Sequence, residues 1–274
     1  MELLDWRHGV KRLVAILLIL LAAAGWSAWQ FRDELSRVWK AAAEGSAVAA
    51  IAGPRPDPAR YATLKEEAER WRRDLAARHA RARTPEEKER VVLESRRFLE
   101  TLLPAMMRCW LGTGWDFHGT SEVPGKGKIA CGYFVATVLR DAGFRVDRYK
   151  LARQPSQNIL RSFLPREALT LRVGVPYDRF ADEVAAAEPG VRIVGLDHHV
   201  AFLVGDGDGF RFIHSSGSRP WCVVDEDRGN AEVLRRSNYR VHGSLTGDPA
   251  LIRRWLRGER IAVTGDPDAA ADRR

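Results

Sequence analysis

The fold is organised around the stretch Lys128-Ile-Ala-Cys131-Gly-Tyr-Phe-Val-Ala-Thr-Val-Leu-Arg-Asp-Ala-Gly143, in which a lone cysteine opens a run with helical periodicity. Aliphatic residues recur along it at helical spacing, and a glycine stands where a helix end is expected: Val135, Val138, Leu139 and Gly143. The preceding residues, Gly125–Lys128, are loop-like, so Cys131 is predicted to lie at the helix N-terminus. Unsatisfied N–H groups and the helix dipole favour an anion there, which predicts a lowered pKa for the thiol.

Cys131 itself has two interpretations. A thiol with a raised thiolate fraction is how many cysteine hydrolases prepare a nucleophile. A lone cysteine is more often a small buried hydrophobe that serves only packing. The choice depends on the rest of the chain, because a catalytic thiol needs a base and an orienting group beside it.

The composition is that of an ordinary globular protein with a basic balance. Of 274 residues, 45% are hydrophobic and 29% are charged, which allows one large domain with a substantial core. The formal net charge of +8 indicates attraction to polyanions such as nucleic acid, anionic lipid or an acidic cell-wall polymer. Lysines and arginines are scattered among acids, however, and no nucleic-acid recognition motif is present.

The N-terminal segment determines the predicted compartment. No charged residue occurs from Leu13 to Phe31, and three basic residues precede that run, as expected on the cytoplasmic side of a membrane. A short apolar core followed by Ala22–Gly25 resembles a cleavable secretory signal, whereas the whole run is long enough to span a bilayer. We favour an uncleaved anchor over residues 1–31, because the small-residue site lies inside the apolar run. Both interpretations export the rest of the chain.

The chain has three cysteines, Cys109, Cys131 and Cys222. In an oxidising compartment an odd number leaves one thiol free or paired between chains. A disulfide between Cys109 and Cys222 would leave Cys131 as the free thiol. Three reduced and unrelated cysteines are the equally open alternative, because the pattern does not encode the distances between them.

The sequence divides into five segments: a membrane anchor or signal at 1–31, a linker at 32–57, a helical hairpin at 58–107, the main domain at 108–263 and a disordered polar tail at 264–274. The second hairpin helix has a clear start, with Thr84 as N-cap, Pro85 at the first position and Glu87 completing a capping box. We favour a hairpin packed on the domain over a spacer or a partner-binding coiled coil.

The second half of the chain changes from helical to strand periodicity. Between 146 and 190 the pattern predicts a helix, a strand and another helix: Gln154–Leu164, Val173–Val175 and Tyr177–Ala187. Short apolar runs between turns then predict five strands: Val191–Gly195, His198–Val204, Phe210–His214, Trp221–Val224 and Asn238–His242. A final amphipathic helix is predicted at Asp248–Arg257. Helices followed by an antiparallel meander indicate the α+β class.

Two histidines are predicted where a catalytic thiol would need them. His199 is on a predicted strand and His214 ends the return strand of the same hairpin, so the two can be neighbours. A base must lie beside the thiol, and a third group must hold the tautomer of that base. Side chains alternate along a strand, so only one of His198 and His199 can meet the helix that carries Cys131. A register slip would make His198 the base.

These residues resemble the motifs of the NlpC-type cell-wall cysteine peptidases, a papain-like group. The matching stretches are Gly119-Thr120, Ala130-Cys131-Gly-Tyr-Phe-Val, Asp197-His198-His199-Val-Ala-Phe-Leu-Val-Gly-Asp-Gly and Phe212-Ile-His214-Ser-Ser. The resemblance covers residues 108–245 and implies a papain-like domain in which the nucleophile helix packs on an antiparallel sheet. It also implies three roles: Cys131 as nucleophile, His199 as base and His214 as the group that orients the base.

The chain differs from the resembling family at three places. Ala130 and Gly132 flank the cysteine where family members usually have aspartate and serine, and Trp115 stands where many have a tyrosine. A tryptophan has no hydroxyl, so any oxyanion role of that tyrosine would pass to backbone N–H groups or be absent. The span from 146 to 190 is longer than expected, which predicts a reshaped substrate groove.

No metal or other cofactor is predicted. The histidines and Cys131 lack the short spacings that zinc ligands usually show. Asp206 and Asp208 resemble part of a calcium loop, but without further acidic ligands they are predicted to be turn residues. His118 is predicted to lie in a surface loop near the cysteine.

The pattern and the resemblance together predict an exported cysteine peptidase or amidase that hydrolyses amide bonds through a thioacyl-enzyme, with bacterial peptidoglycan as substrate. The N-terminal helix would anchor it to the inner membrane, facing the periplasm or cell wall, or it would be secreted if the segment is cleaved. Two alternatives stay open: the same machinery acting on another acyl substrate, and a catalytically silent binding or scaffold module. No nucleic-acid partner is expected, and the oligomeric state is left open.

Overall fold

The computed structural model describes residues 54–266, which form an antiparallel sheet packed against helices and so belong to the α+β class. The predicted anchor at 1–31, nearly all of the predicted linker at 32–57 and most of the predicted tail at 264–274 lie outside the described residues. Across residues 54–266, no helix is both long and apolar enough to cross a bilayer.

Two long helices begin the described chain: α1 at Pro58–Arg81 and α2 at Pro85–Arg108. Both starts are capped locally. The Asp57 side chain accepts a backbone N–H of α1, and Thr84 and Glu87 form the predicted capping box on α2. A short connection and an ion pair between Arg78 and Glu94 make the two helices an antiparallel hairpin.

The hairpin packs against the rest of the domain. Its buried face, which includes Leu75, Leu99 and Leu103, belongs to the same hydrophobic core as the sheet and the other helices on that side. Tyr61 of α1 donates a hydrogen bond to the Asp141 carboxylate at 3.1 Å within this contact. Each fully buried leucine contributes about 1.5–3 kcal/mol relative to an exposed one, so apolar burial holds the hairpin in place.

The other α-helices of the described chain are shorter: α3 Cys131–Asp141, α4 Arg148–Ala152, α5 Ser156–Phe163, α6 Tyr177–Ala185, α7 Glu232–Arg236 and α8 Pro249–Arg257. The strands are β1 Arg145–Val146, β2 Thr170–Val173, β3 Gly190–Leu196, β4 Val200–Gly205, β5 Phe210–Ser215, β6 Val223–Asp227, β7 Tyr239–Ser244 and β8 Arg260–Ile261. The main sheet has the order β2-β7-β3-β4-β5-β6 with every neighbouring pair antiparallel, while β1 pairs in parallel with β8.

Strand β4 lies inside the sheet and is buried on both faces. Val200 and Phe202 belong to the core shared with α3, where Phe134 packs edge-to-face on Phe202 at a ring distance of 5.9 Å. Ala201 and Leu203 belong to the opposite core, which α6 covers. Alternate residues of β4 therefore pack into two different cores, one on each face of the sheet. This explains why the strand is a continuous apolar run in the sequence.

The structure corrects several predicted boundaries. Strand β2 covers Thr170–Val173 and shares only Val173 with the predicted Val173–Val175, because Gly174 adopts a positive φ of 68° and ends the strand. Strand β6 begins at Val223 and not at Trp221, whose own φ of 61° is incompatible with extended backbone. Helices α4 and α7 are absent from the sequence-based prediction, because such short helices show too little periodicity.

Candidate active site

Cys131 is the first residue of α3, as the sequence predicts. The N-cap residue, Ala130, is extended and offers no side-chain acceptor to the first-turn amides. The backbone N–H groups of Val200, Gly132 and Cys131 itself lie near the sulfur and act to lower the pKa of the thiol. The helix start is therefore open to a thiolate or to another anion beside it.

Gly132 allows α3 to begin in close contact with α4. A Cβ atom at this position would stand 2.4 Å from the carbonyl oxygen of Ala152, far closer than side chains tolerate. Glycine is therefore required by the approach of the two helices. This accounts for one difference from the resembling family, because a serine would not fit here.

The turn between β3 and β4 holds His199. Strand β4 begins one residue later, so the prediction that His198 and His199 lie on the strand is wrong. The backbone N–H of Leu196 donates to the His199 carbonyl at 2.8 Å and closes the turn. The Asp197 carboxylate accepts the Ser237 hydroxyl at 2.8 Å and anchors the turn to the segment before β7. In this turn His198 is exposed, whereas His199 is half-buried.

The structure brings His199 and His214 together. Nε2 of His199 lies 2.8 Å from Nδ1 of His214, and the two rings are nearly perpendicular. His214 is fully buried on β5 and packs on Phe212 at a ring distance of 4.3 Å. His199 uses Nε2 for this bond, and its Nδ1 makes no hydrogen bond to any residue from 54 to 266. That nitrogen is the one available to a thiol.

Cys131 and His199 line the same two clefts. The backbone N–H of Val200, the residue that follows His199 in the chain, lies near the sulfur and acts to lower its pKa. Within the described residues, no hydrogen bond joins the sulfur to the ring of His199 or of His198. Catalytic hydrogen bonds are often long before substrate binds and tighten in the complex, so a side-chain adjustment would be needed for proton transfer.

Sequence reasoning missed Glu226 on β6. Its Oε2 lies 3.1 Å from Nε2 of His214, so the carboxyl group extends the histidine pair. In the register of β5 and β6, Val224 is opposite His214 and Glu226 is opposite Phe212. Glu226 therefore lies on the same sheet face as His214, one alternate position further along the neighbouring strand. Glu226 lies two residues after Val224, the residue opposite His214. The sequence could identify it as a site residue only if the register of the two strands were already known.

Burial dominates the electrostatics of the site. It raises the pKa of the Cys131 thiol, and the N–H groups directed at the sulfur offset this only in part. The sequence-based expectation of a lowered thiol pKa is therefore wrong, because loss of solvent outweighs the helix N-terminus. Burial, and then the neighbouring His214, hold the pKa of His199 well below its usual range, and burial lowers the pKa of His214 to about 3. Thiol and imidazoles are thus neutral at pH 7.

The two clefts differ in character on either side of Cys131. The smaller, of 540 Å³, has a polar wall from α5 and the residues before it: Gln154, Ser156 and Gln157. The larger, of 920 Å³, has an aromatic wall from the loop before α3: Trp115, Phe117 and His118. His118 is exposed, as predicted, and its ring contacts Phe117 edge-to-face. An extended substrate could cross the thiol from one cleft to the other.

Three other features considered from the sequence are a disulfide, a metal site and a calcium-like turn. Cys109, Cys131 and Cys222 are all free thiols, so the Cys109–Cys222 disulfide does not form in this structure. No group of three or more histidine, cysteine or acidic side chains within residues 54–266 is arranged to hold a metal ion. Asp206 accepts the backbone N–H groups of Asp208 and Gly209, which is a turn role.

The chain matches no family model, no curated protein and no solved structure in comparisons with known proteins.

Proposed function

We propose that this chain is an exported, membrane-anchored cysteine peptidase of the papain-like NlpC type that hydrolyses amide bonds in peptidoglycan. The observation that carries the proposal is the shared cleft of Cys131 and His199, in which Nε2 of His199 is held 2.8 Å from His214. A nucleophile, a base and a group that orients the base are what thiol-dependent acyl transfer requires.

The chemistry follows from the positions of these groups. The Cys131 thiol gives its proton to Nδ1 of His199, and the thiolate attacks the carbonyl carbon of the scissile amide. N–H groups at the open start of α3 stabilise the oxyanion. His199 returns the proton to the leaving amine as the C–N bond breaks, which leaves a thioacyl-enzyme. His199 then deprotonates a water that cleaves the thioester and restores the thiol.

The neutral state of the site suits this sequence of steps. Partial shielding of the thiol and of the imidazole from water keeps the proton on sulfur until a substrate is bound. Proton transfer then coincides with attack, so the base removes the proton during the reaction and no resting ion pair is needed.

Three features support a cell-wall substrate. The N-terminal apolar segment at 1–31 would export the domain and anchor it to the inner membrane. The formal net charge of +8 favours attraction to an acidic polymer. The clefts on both sides of Cys131 leave space for a substrate that continues in two directions, as a cross-linked peptide does.

The direct test uses purified peptidoglycan and two cysteine variants. Cys131→Ala is expected to abolish release of soluble fragments, while Cys222→Ala, which removes a half-buried thiol elsewhere, is expected to retain wild-type activity. Mass spectrometry of the fragments would identify the cleaved bond. Digestion by Cys131→Ala at the wild-type rate would refute the proposal. Turnover of peptides or acyl lipids but not of cell wall would indicate the alternative acyl substrate.

A catalytically silent binding module is the second candidate, and the raised pKa of Cys131 favours it. Alkylation of the thiol across the pH range separates the two candidates when it is measured with and without cell-wall fragments. A peptidase is expected to alkylate through Cys131 with a His199-dependent rate, so that His199→Ala slows the reaction. A rate that follows only an ordinary or raised thiol pKa and ignores His199 would favour the binding module.

A further inference from the structure

A continuous row of polar groups leads away from Cys131 into the sheet. Nε2 of His199 lies 2.8 Å from Nδ1 of His214, and Nε2 of His214 lies 3.1 Å from Oε2 of Glu226. His214 is fully buried, and the Glu226 side chain is only 20% exposed. Each imidazole is neutral, so each carries one proton on one of its two nitrogens.

The protonation state of Glu226 determines where those protons lie. An ionised carboxylate can only accept, so Nε2 of His214 must carry the proton that it donates, and Nδ1 of His214 is left as an acceptor. Nδ1 of His214 then accepts a hydrogen bond from the protonated Nε2 of His199. Because neutral His199 carries a single ring proton, its Nδ1 is left unprotonated. A protonated carboxyl group that donates to His214 would reverse both bonds and place a proton on Nδ1 of His199.

We propose that Glu226 is a positioning residue that, when ionised, sets the direction of the hydrogen bonds through His214 and His199 and so keeps Nδ1 of His199 free to accept the thiol proton. The inference rests on the proposed function of Cys131 and His199. It goes beyond that function by adding a fourth member to the site and by making the site responsive to pH.

The charges around Glu226 place its titration near neutrality. Burial, with smaller contributions from the nearby acids Asp227 of β6 and Glu232 of α7, raises the pKa of Glu226 to about 7 against the opposing effect of Arg211 of β5. The other group that faces it, His214, is neutral. Glu226 is therefore ionised above about pH 7 and protonated below it, and the productive tautomer of His199 follows the same transition.

The test compares Glu226→Gln and Glu226→Leu with Asp208→Asn, an exposed turn acid far from the row. The wild type is expected to lose kcat/KM as the pH is lowered through about 7. Glutamine has the same shape as glutamate but does not titrate, so Glu226→Gln is expected to show no such loss. Glu226→Leu removes the acceptor and is expected to lower kcat by about tenfold or more with little change in KM, because the wrong tautomer of the base becomes populated. Asp208→Asn should behave as the wild type.

Nitrogen-15 spectra of histidine-labelled protein report the tautomers without any substrate. The wild type at pH 8 is expected to show Nδ1 of His199 and of His214 unprotonated, and Glu226→Leu is expected to shift both signals. Unchanged histidine signals in Glu226→Leu would overturn the inference. A loss of kcat/KM below about pH 7 that persists in Glu226→Gln would also overturn it. Full activity of Cys131→Ala would instead refute the proposed function, while the spectra would still test the role of Glu226.

Discussion

At the scale of single residues, backbone N–H groups favour a thiolate at Cys131, whereas shielding from water opposes charge on Cys131 and His199. Three backbone N–H groups near the sulfur of Cys131 favour its thiolate form. Removal from water outweighs them, and the same burial keeps His199 neutral. We therefore expect the thiolate and the imidazolium to form only when a bound substrate is present to react with the thiolate.

Gly132 is the residue whose replacement is expected to disturb this arrangement most directly. Gly132→Ala places a methyl group 2.4 Å from the carbonyl oxygen of Ala152, so α3 must shift and carry the sulfur with it. We expect a loss of about 1–3 kcal/mol in the free energy of unfolding and at least about a tenfold loss of kcat/KM. Gly209→Ala, where a Cβ meets nothing within 4 Å, is the matched control. Equal behaviour of both variants would show that the close contact is unimportant.

His242 offers a test of burial outside the active site. It is only 5% exposed, and neither ring nitrogen has a hydrogen-bond partner within the described chain. Glu183 is the nearby acid, at 3.9 Å from Nε2, which is too far for a hydrogen bond. We expect His242→Leu to raise the free energy of unfolding by about 1 kcal/mol, because the cost of burying unpaired polar atoms disappears. Denaturant unfolding at pH 7 measures this, and a lower stability would contradict it.

At the scale of secondary-structure elements, two kinds of contact hold the site together. Local caps start the helices, as Thr84 and Glu87 do for α2. Long-range hydrogen bonds then align the elements that bear the site. The buried Ser215 hydroxyl at the end of β5 donates to the carbonyl of Ile129 at 2.6 Å, which ties the strand of His214 to the loop that leads into α3.

The cap of α2 should affect stability without affecting chemistry. Thr84→Ala removes the side-chain oxygen that accepts the Glu87 N–H and is expected to cost about 1 kcal/mol of unfolding free energy. Thr101→Ala in the middle of the same helix should be neutral or slightly stabilising, because alanine has the higher helix propensity. Activity should be the same in both variants. A stability loss in Thr101→Ala equal to that in Thr84→Ala would contradict the assignment of the cap.

The elements also show which parts of the fold were predictable. Helices α2, α5 and α6 have the predicted type and nearly the predicted bounds, because each has apolar residues at helical spacing over two or more turns. The turn before β4 was mistaken for strand, because the histidines adjoin an apolar run with no glycine or proline between them. Its bend depends on Asp197 and Ser237, which are far apart in the sequence and leave no local pattern.

At the scale of the whole molecule, three neutral histidines, of which His214 and His242 are buried and His199 is half-buried, make folding sensitive to acid. Burial lowers the pKa of His214 to about 3 and that of His242 to about 4, and the pKa of His199 also lies well below its usual range. In the unfolded chain each titrates near 6.5. Their contribution to stability is therefore fully present above about pH 6.5 and is lost progressively as the pH falls towards the folded-state values.

Glu226 contributes with the opposite sign. Its pKa is raised to about 7 in the folded protein, so its contribution is present below its unfolded pKa and is lost as the pH rises through 7. Three histidines outweigh one carboxyl group. We expect thermal unfolding to show a net loss on the order of 3 kcal/mol between pH 7 and pH 5. His242→Leu should make this dependence shallower, and a melting temperature that does not fall over this range would contradict the prediction.

The sequence by itself determined the features that depend on near neighbours: the helix that starts at Cys131, the capping box of α2, the α+β order of elements and the hairpin that pairs His199 with His214. Only the tertiary structure decided the raised pKa of the thiol, the need for glycine beside Ala152 and the presence of Glu226. The physical reason is range. Caps and periodicity arise within a few residues, whereas desolvation, close backbone approach and strand register depend on segments that meet only when the chain has folded.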